Sequence, residues 1–276
     1  MSAPLLPSCI EKYLATPTEA ERQFRRLFLA DERLVICNIG ACEGEDSVRF
    51  SRLFPRARIY AFELLPANQA LVRANFNRYS AVNAELVPAA LSDRAGEASC
   101  NVSSGRAPDL FAGENWNYGN KSSSLLPPVK SDPMHGWIEF NERITVTTTT
   151  LDQFCADRNI TRIDFIQMDV QGAEKLVLAG AARMLARTTA VWLEVSAQEL
   201  YRGQALDRDL TRLMRAEGFF LAHTAYLGTD HGEGDHLYLN LRRLRVWPAL
   251  IKHALQHLLR FARRCKRALP GKSPAP

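Results

Sequence analysis

Between residues 34 and 242 the apolar positions switch repeatedly between short unbroken runs and a spacing of three and four residues. Unbroken apolar runs bounded by turn residues read as strands covered on both faces, and the three-four spacing reads as helices with one apolar side. The pattern predicts strands at 34–39, 57–63 and 82–91, with helices at 44–54 and 66–78 between them. The second of these helices opens on Pro66, at a position where an N–H would have no helical partner anyway. Gly96–Val102 and Arg143–Leu151 read as β-structure, the latter rich in Thr and Val. A helix from Asp152 then leads to a strand at Arg162–Val170, a helix at 172–186, a strand at 189–195, a helix at 205–217 and final strands at 219–226 and 235–242; residues 9–30 read as helical. Such alternation predicts an α/β fold with a doubly wound, mostly parallel sheet, and no internal repeat interrupts it.

The chemistry enters at the first predicted turn. Leu34–Ile39 breaks into Gly40-Ala-Cys-Glu-Gly44, after which a helix-like stretch begins. In an open α/β sheet the ligand lies beyond the carboxyl ends of the strands, and glycines there let the backbone approach it. The next predicted strand, Ala57-Arg-Ile-Tyr-Ala-Phe-Glu63, ends in a carboxylate placed to accept hydrogen bonds from both ribose hydroxyls of an adenosine. A dinucleotide fingerprint wants three close glycines around a pyrophosphate. Here Cys42 and Glu43 occupy the loop, and the acid would repel a diphosphate while tolerating the ammonium and sulfonium charges of S-adenosylmethionine.

A further segment, Ile163-Asp-Phe-Ile-Gln-Met-Asp-Val-Gln-Gly172 and onward to Gly180, is followed by Ala190-Val-Trp-Leu-Glu-Val195. Together with Asn38–Gly44, Tyr60–Glu63, Asn68, Asn75 and Thr150-Leu-Asp-Gln-Phe154, this resembles the FkbM family of S-adenosylmethionine-dependent methyltransferases over roughly residues 34–242. The resemblance implies a Rossmann-like, seven-stranded sheet with an antiparallel edge strand and S-adenosyl-L-methionine as cofactor. The loop and the resemblance together assign Asn38, Gly40, Ala41, Glu43, Gly44, Glu63, Asn68, Ala90, Ser124 and Asp169 to the cofactor. The family usually carries Asp and Asn where this chain has Asn38 and Cys42, and Lys and Glu where it has Gln167 and Gln171. Asn38, Gln167 and Gln171 each keep a hydrogen-bonding amide while deleting a charge.

For the reaction, Asp169 at the carboxyl end of its strand is the expected acceptor-orienting residue and general base, with Glu194 at the end of the next strand as a second candidate. A helix cap is the structural alternative for Asp169, and a loop contact for Glu194. His135 is a third candidate base, because an unperturbed imidazole has its pKa near neutrality, against the plainer reading of a solvated loop side chain. His231-Gly-Glu-Gly-Asp-His236 lacks metal-ligand spacing and reads as a hairpin turn, so no metal is expected.

Composition adds organisation. With 276 residues, 46% of them hydrophobic and 24% charged, the chain can bury one full core. Six cysteines without Cys-x-x-Cys spacing, and a first thirty residues holding several charges and no long apolar run, point to a reduced cytoplasmic setting. The net charge of +5 hides an asymmetry: residues 242–276 hold ten cations and no acid, which leaves the rest at −5. A nucleic-acid footprint on the main domain is therefore disfavoured. From Pro248 the apolar residues fill one half of a helical wheel and the cations the other, so 248–268 reads as a helix for the inner membrane surface or a partner, or as one packed on its own domain or in a dimer. The expected divisions are a helical extension at 1–33, a methyltransferase domain at 34–242 with an insertion or lid at 103–142, and a basic helix and tail at 243–276. Phe111, Trp116, Tyr118 and Trp137 in the insertion suit contact with a sugar ring or apolar scaffold. The expected reaction is O-methylation of a hydroxyl on a sugar, glycan, lipid-linked or polyketide-type acceptor, with a non-catalytic scaffold as the alternative.

Overall fold

The computed structural model describes residues 9–105, 118–129, 136–226 and 232–243. His135, His231 and the basic 248–268 segment lie outside the described residues. Along the chain run α1 (Cys9–Ala15), α2 (Glu19–Leu27), β1 (Val35–Ile39), α3 (Glu45–Leu53), β2 (Arg58–Phe62), α4 (Pro66–Arg78), β3 (Ala84–Val87), β4 (Ala90–Leu91) and β5 (Gly96–Ser104). Then come β6 (Glu139–Thr149), α5 (Leu151–Asp157), β7 (Ile163–Met168), α6 (Glu174–Ala179), α7 (Ala182–Leu185), β8 (Thr188–Ser196), α8 (Asp207–Ala216), β9 (Phe219–Tyr226) and β10 (Glu233–Asn240).

The main sheet has seven strands in the order β3-β2-β1-β7-β8-β10-β9. Neighbours from β3 to β8 pair in parallel, and β10 is antiparallel to both β8 and β9. The reversed strand thus lies one place in from the rim, and the edge strand β9 again runs with the parallel set. Strand order reverses between β1 and β7, the switch point where the loops on either side diverge and leave a crevice.

Successive side chains of a strand face opposite sides, and the two sides here have different cores. Ile36, Ile59 and Phe165 turn toward α2 and α3, whereas Cys37, Tyr60 and Ile166 turn toward the side of α5 through α8. On the first side Phe24 of α2 meets Phe28, Phe50, Phe54 and Phe165 at ring-centroid distances of 3.9–5.1 Å. The α2 helix starts where the Thr18 hydroxyl accepts the Glu21 N–H, and it is part of this sheet-covering layer.

The predicted strand at 82–91 divides. β3 joins the main sheet, and β4 pairs with β6 in a separate three-stranded sheet of order β4-β6-β5. The predicted helix at 172–186 divides as well, into α6 and α7. At the break a Cβ on Gly180 would stand 2.1 Å from the Ser92 carbonyl oxygen, so the small sheet and the helix pair touch backbone to backbone there. Among the described residues no helix is long and apolar enough to cross a membrane.

Candidate active site

At the carboxyl end of β1 the chain turns sharply under its neighbours. The N–H groups of Gly40 and Ala41 both donate to the Phe62 carbonyl at the end of β2. Gly40 has a φ of +84°, and a Cβ there would lie 1.8 Å from the Asp169 carbonyl oxygen. The glycine is therefore required by contact as well as by conformation. Its absence of a side chain lets the ends of β1, β2 and β7 converge on one cavity, lined among others by Gly40, Ala41, Cys42, Glu63, Asn68, Ala90 and Asp169.

Glu63 is turned into that cavity. Its Oε2 accepts the Cys42 N–H and its Oε1 the Leu65 N–H, each at 2.8 Å. Burial, opposed by these backbone donors and aided by the Glu45 carboxylate, pushes its pKa up to about 7. A carboxylate oxygen can accept two hydrogen bonds and each of these accepts one, so both retain capacity toward a ligand. Asn68 exchanges contacts with Asn120, whose Nδ2 donates to Asn68 Oδ1 at 2.9 Å.

Asp169, at the end of β7, meets the side chain of Gln171. That amide N–H₂ donates to Asp169 Oδ1 at 2.8 Å and to Glu194 Oε2 at 3.0 Å. Glu194 is half-exposed as a residue, yet its carboxyl is enclosed, and burial with Asp169 close by pushes its pKa well above the usual carboxylate range. The Gln171 amide thus bridges two neighbouring carboxyls, an arrangement in which one negative charge disfavours a second. Gln171 holds a left-handed φ of +54°, a conformation that costs a non-glycine residue about 1–2 kcal/mol. It is fixed by its two carboxylate partners, by the Ser124 hydroxyl donating to its carbonyl at 2.7 Å, and by Tyr201. Glu174 secures the same turn by accepting the N–H groups of Val170 and Gly172.

Two further groups face the first cavity. Gln167 donates to Asp46, which also accepts from the Tyr13 hydroxyl. Burial, together with the Glu45 carboxylate, pushes Asp46 up to about 6. A strap at 118–129 covers the opening: Asn101 and Ser124 bridge backbone to backbone, and the Lys121 ammonium lies 2.8 Å from Glu45 Oε1. Burial works against the Lys121 charge, but Glu45 outweighs it and holds the pKa above the ordinary lysine value. With the strap down, the cavity measures about 130 Å³, less than the roughly 300–1,000 Å³ of small-molecule sites. Lys121 and Asn120 both stand in its lining.

The expected residues separate by placement. Gly40, Ala41, Glu63, Asn68, Ala90 and Asp169 come together around one cavity. Asn38 is buried behind it and donates to the Ser47 hydroxyl at 2.9 Å. Gly44 begins α3 against Phe76. Glu43 contributes its carbonyl to Asn75, and Ser124 holds Gln171 from outside the lining. His236 is buried in β10 beside the Tyr238 hydroxyl, and among the described residues no His/Cys/Asp/Glu group could hold a metal ion. Lys121 and Asn120 were not marked by the sequence pattern. Their one signal was proximity to Ser124, since an aperiodic insertion does not say which residues fold back.

Whether an S-adenosyl conjugate suits this site is tested by its unmet polar atoms. Gln167 Oε1 and Asn120 Oδ1 both belong to residues lining the cavity, are buried, and lack a hydrogen-bond partner. Buried acceptors in that condition call for a donor, and an ammonium group supplies one. The acids nearby, Glu45 and Asp46, favour the same positive charge. The donor set fits.

The chain matches the Methyltransferase FkbM domain over residues 38–221. It is 35% identical over 170 residues to the 2-O-methyltransferase NoeI of Sinorhizobium fredii, a match that spans 62% of this chain and 66% of that protein's length. Among solved structures it is similar to the precorrin-6y C5,15-methyltransferase of Geobacter metallireducens, with 17% identity, 87% and 92% of the two chains covered and a TM-score of 0.39. It is also similar to the fibrillarin pre-rRNA processing protein of Methanococcus jannaschii, with 10% identity, 77% and 68% covered and a TM-score of 0.44.

Proposed function

The chain belongs to the FkbM methyltransferase family, and from that premise we propose that it is an S-adenosylmethionine-dependent O-methyltransferase acting on a hydroxyl of a small sugar, glycan, lipid-linked or polyketide-type acceptor. The observation that carries the reading is the convergence of Gly40, Glu63 and Asp169 on one cavity at the switch point of the sheet. The cofactor supplies an electrophilic methyl group on a sulfonium. Glu63 would hold the ribose hydroxyls, the Gly40–Cys42 backbone would admit the amino-acid portion, and Gln167, Asn120 and Asp46 would meet its ammonium.

The chain's own part in the reaction is placement and proton handling. Asp169 accepts a hydrogen bond from the acceptor hydroxyl, orients its oxygen and takes the proton as the new bond forms. Gln171 fixes the Asp169 side chain and ties it to Glu194 behind it. Orientation of this kind is worth roughly 7–11 kcal/mol in well-arranged systems. The strap, seated by Lys121 and Asn120, keeps water from the reacting centre.

Two measurements test the reading. Calorimetric titration with S-adenosylhomocysteine is expected to show saturable binding below about 1 mM; a flat titration at that concentration would end it. Affinity is also expected to depend on pH through Glu63. In the free protein a carboxyl raised to about 7 stabilises the fold fully below the ordinary carboxylate range and loses that contribution as pH climbs through about 7. Ribose binding needs the ionised form, so affinity is expected to fall by up to about tenfold per pH unit below 7. Glu63→Gln should flatten that dependence, and an equally steep profile in this variant would assign it to another group.

A further inference from the structure

Beyond the strap lies a second cavity of about 670 Å³, within the range of ordinary small-molecule sites. Gln171 is the one described residue that lines both cavities. The same side chain therefore touches Asp169 on one side and the larger space on the other. The Tyr201 hydroxyl stands 2.7 Å from the Ser122 carbonyl and 3.0 Å from Gln171 Oε1, with one proton to share between them.

The walls are built from backbone pairing. Pro128 bridges to Tyr201, the Val129 N–H donates to the Leu200 carbonyl, and the Arg202 N–H donates to the Pro127 carbonyl. Phe140 and Tyr201 meet edge to face at 6.3 Å and 90°, which gives the cavity an aromatic side. Its cations are Arg143 and Arg202. Arg143 donates through Nε to the uncharged Asn101 at 3.0 Å, and neither guanidinium meets a carboxylate among the described residues. Glu233 is the single acid in the lining and has interactions of its own. Arginines so placed suit forked recognition of a phosphate or carboxylate.

Resting on the methyltransferase reading, we propose that this cavity is the acceptor cleft, and that it selects a hydroxylated ring attached to an anionic group, phosphate or carboxylate. The ring lies against Phe140 and Tyr201, Arg143 and Arg202 hold the anion, and the hydroxyl to be methylated reaches Asp169 past Gln171.

The experiment starts from protein saturated with S-adenosylhomocysteine, into which glucose 1-phosphate, glucuronate, glucose and inorganic phosphate are titrated separately with binding read by ligand-observed NMR. At least one anionic sugar is expected to bind about tenfold or more tighter than glucose and than phosphate alone, and the tighter of the two identifies the anion. In an R143A/R202A variant that preference should vanish while S-adenosylhomocysteine affinity stays unchanged, which also shows the variant folded; R143K/R202K should recover part of it. Glucose binding as well as the anionic sugars, phosphate binding as well as its sugar ester, or no binding by any probe would overturn the proposal. Failure of S-adenosylhomocysteine itself to bind would instead strike the methyltransferase reading on which the cleft depends.

Discussion

Glu63→Ala is expected to weaken S-adenosylhomocysteine binding by more than about a hundredfold while leaving the protein folded. The carboxylate would accept from two ribose hydroxyls, and hydrogen bonds to a charged group are each worth about 1.5–3 kcal/mol, so losing both exceeds the roughly 2.7 kcal/mol that a hundredfold represents. Folding survives for a separate reason. The Cys42 and Leu65 N–H groups that Glu63 now satisfies lie at a cavity wall, where water can replace the lost acceptor. The raised pKa of the acid also means that the fold carries a cost for its ionised form. Thermal unfolding without ligand should accordingly change little, and isothermal calorimetry should show the collapse in affinity. An unchanged dissociation constant would remove Glu63 from the binding site.

Gly40→Ala should act on the fold itself. A Cβ at this position would stand 1.8 Å from the Asp169 carbonyl oxygen, on backbone with a φ of +84°. Conformation alone costs about 1–2 kcal/mol. The clash adds a displacement of β1 against β7, and the total is expected to exceed about 4 kcal/mol, in the range reserved for severe lesions. Gly203→Ala supplies the comparison, because Gly203 has a φ of +81° and open space around it. That variant isolates the conformational cost, so urea denaturation should separate the two alanines by at least about 2 kcal/mol. Equal midpoints would show that the ends of these strands can part without penalty.

The sequence was most readable where local pattern and site geometry coincide. A strand ending at a glycine bend and a second ending in an acid are short-range signals, and β1, β2, Gly40 and Glu63 lie where those signals place them. Asp169 was readable for the same reason. Position alone was less informative about direction. Asn38 is adjacent to Ile39, which does line the cavity, but alternation sends its amide to Ser47 inside the protein. The 82–91 run looked like one strand because apolar content does not report which sheet a residue joins, and β3 and β4 part company at Pro88 and Ala89. Likewise the periodicity of 172–186 runs through Gly180 without betraying the Ser92 carbonyl that presses on it. Lys121 and Asn120 reach the cavity from more than fifty residues away from Asn68 and Glu45, a closure that only tertiary pairing can specify.

The strap at 118–129 gives one face to the smaller cavity through Lys121, Ser123 and Leu125, and the other to the larger one through Ser122, Pro127, Pro128 and Val129. One wall thus serves both spaces. Any change in affinity that an occupant of one side imposes on the other is matched in reverse, because linkage makes such effects mutual and equal in free energy. Titrating a sugar phosphate with and without S-adenosylhomocysteine, and the reverse, therefore reads the same coupling free energy from either side.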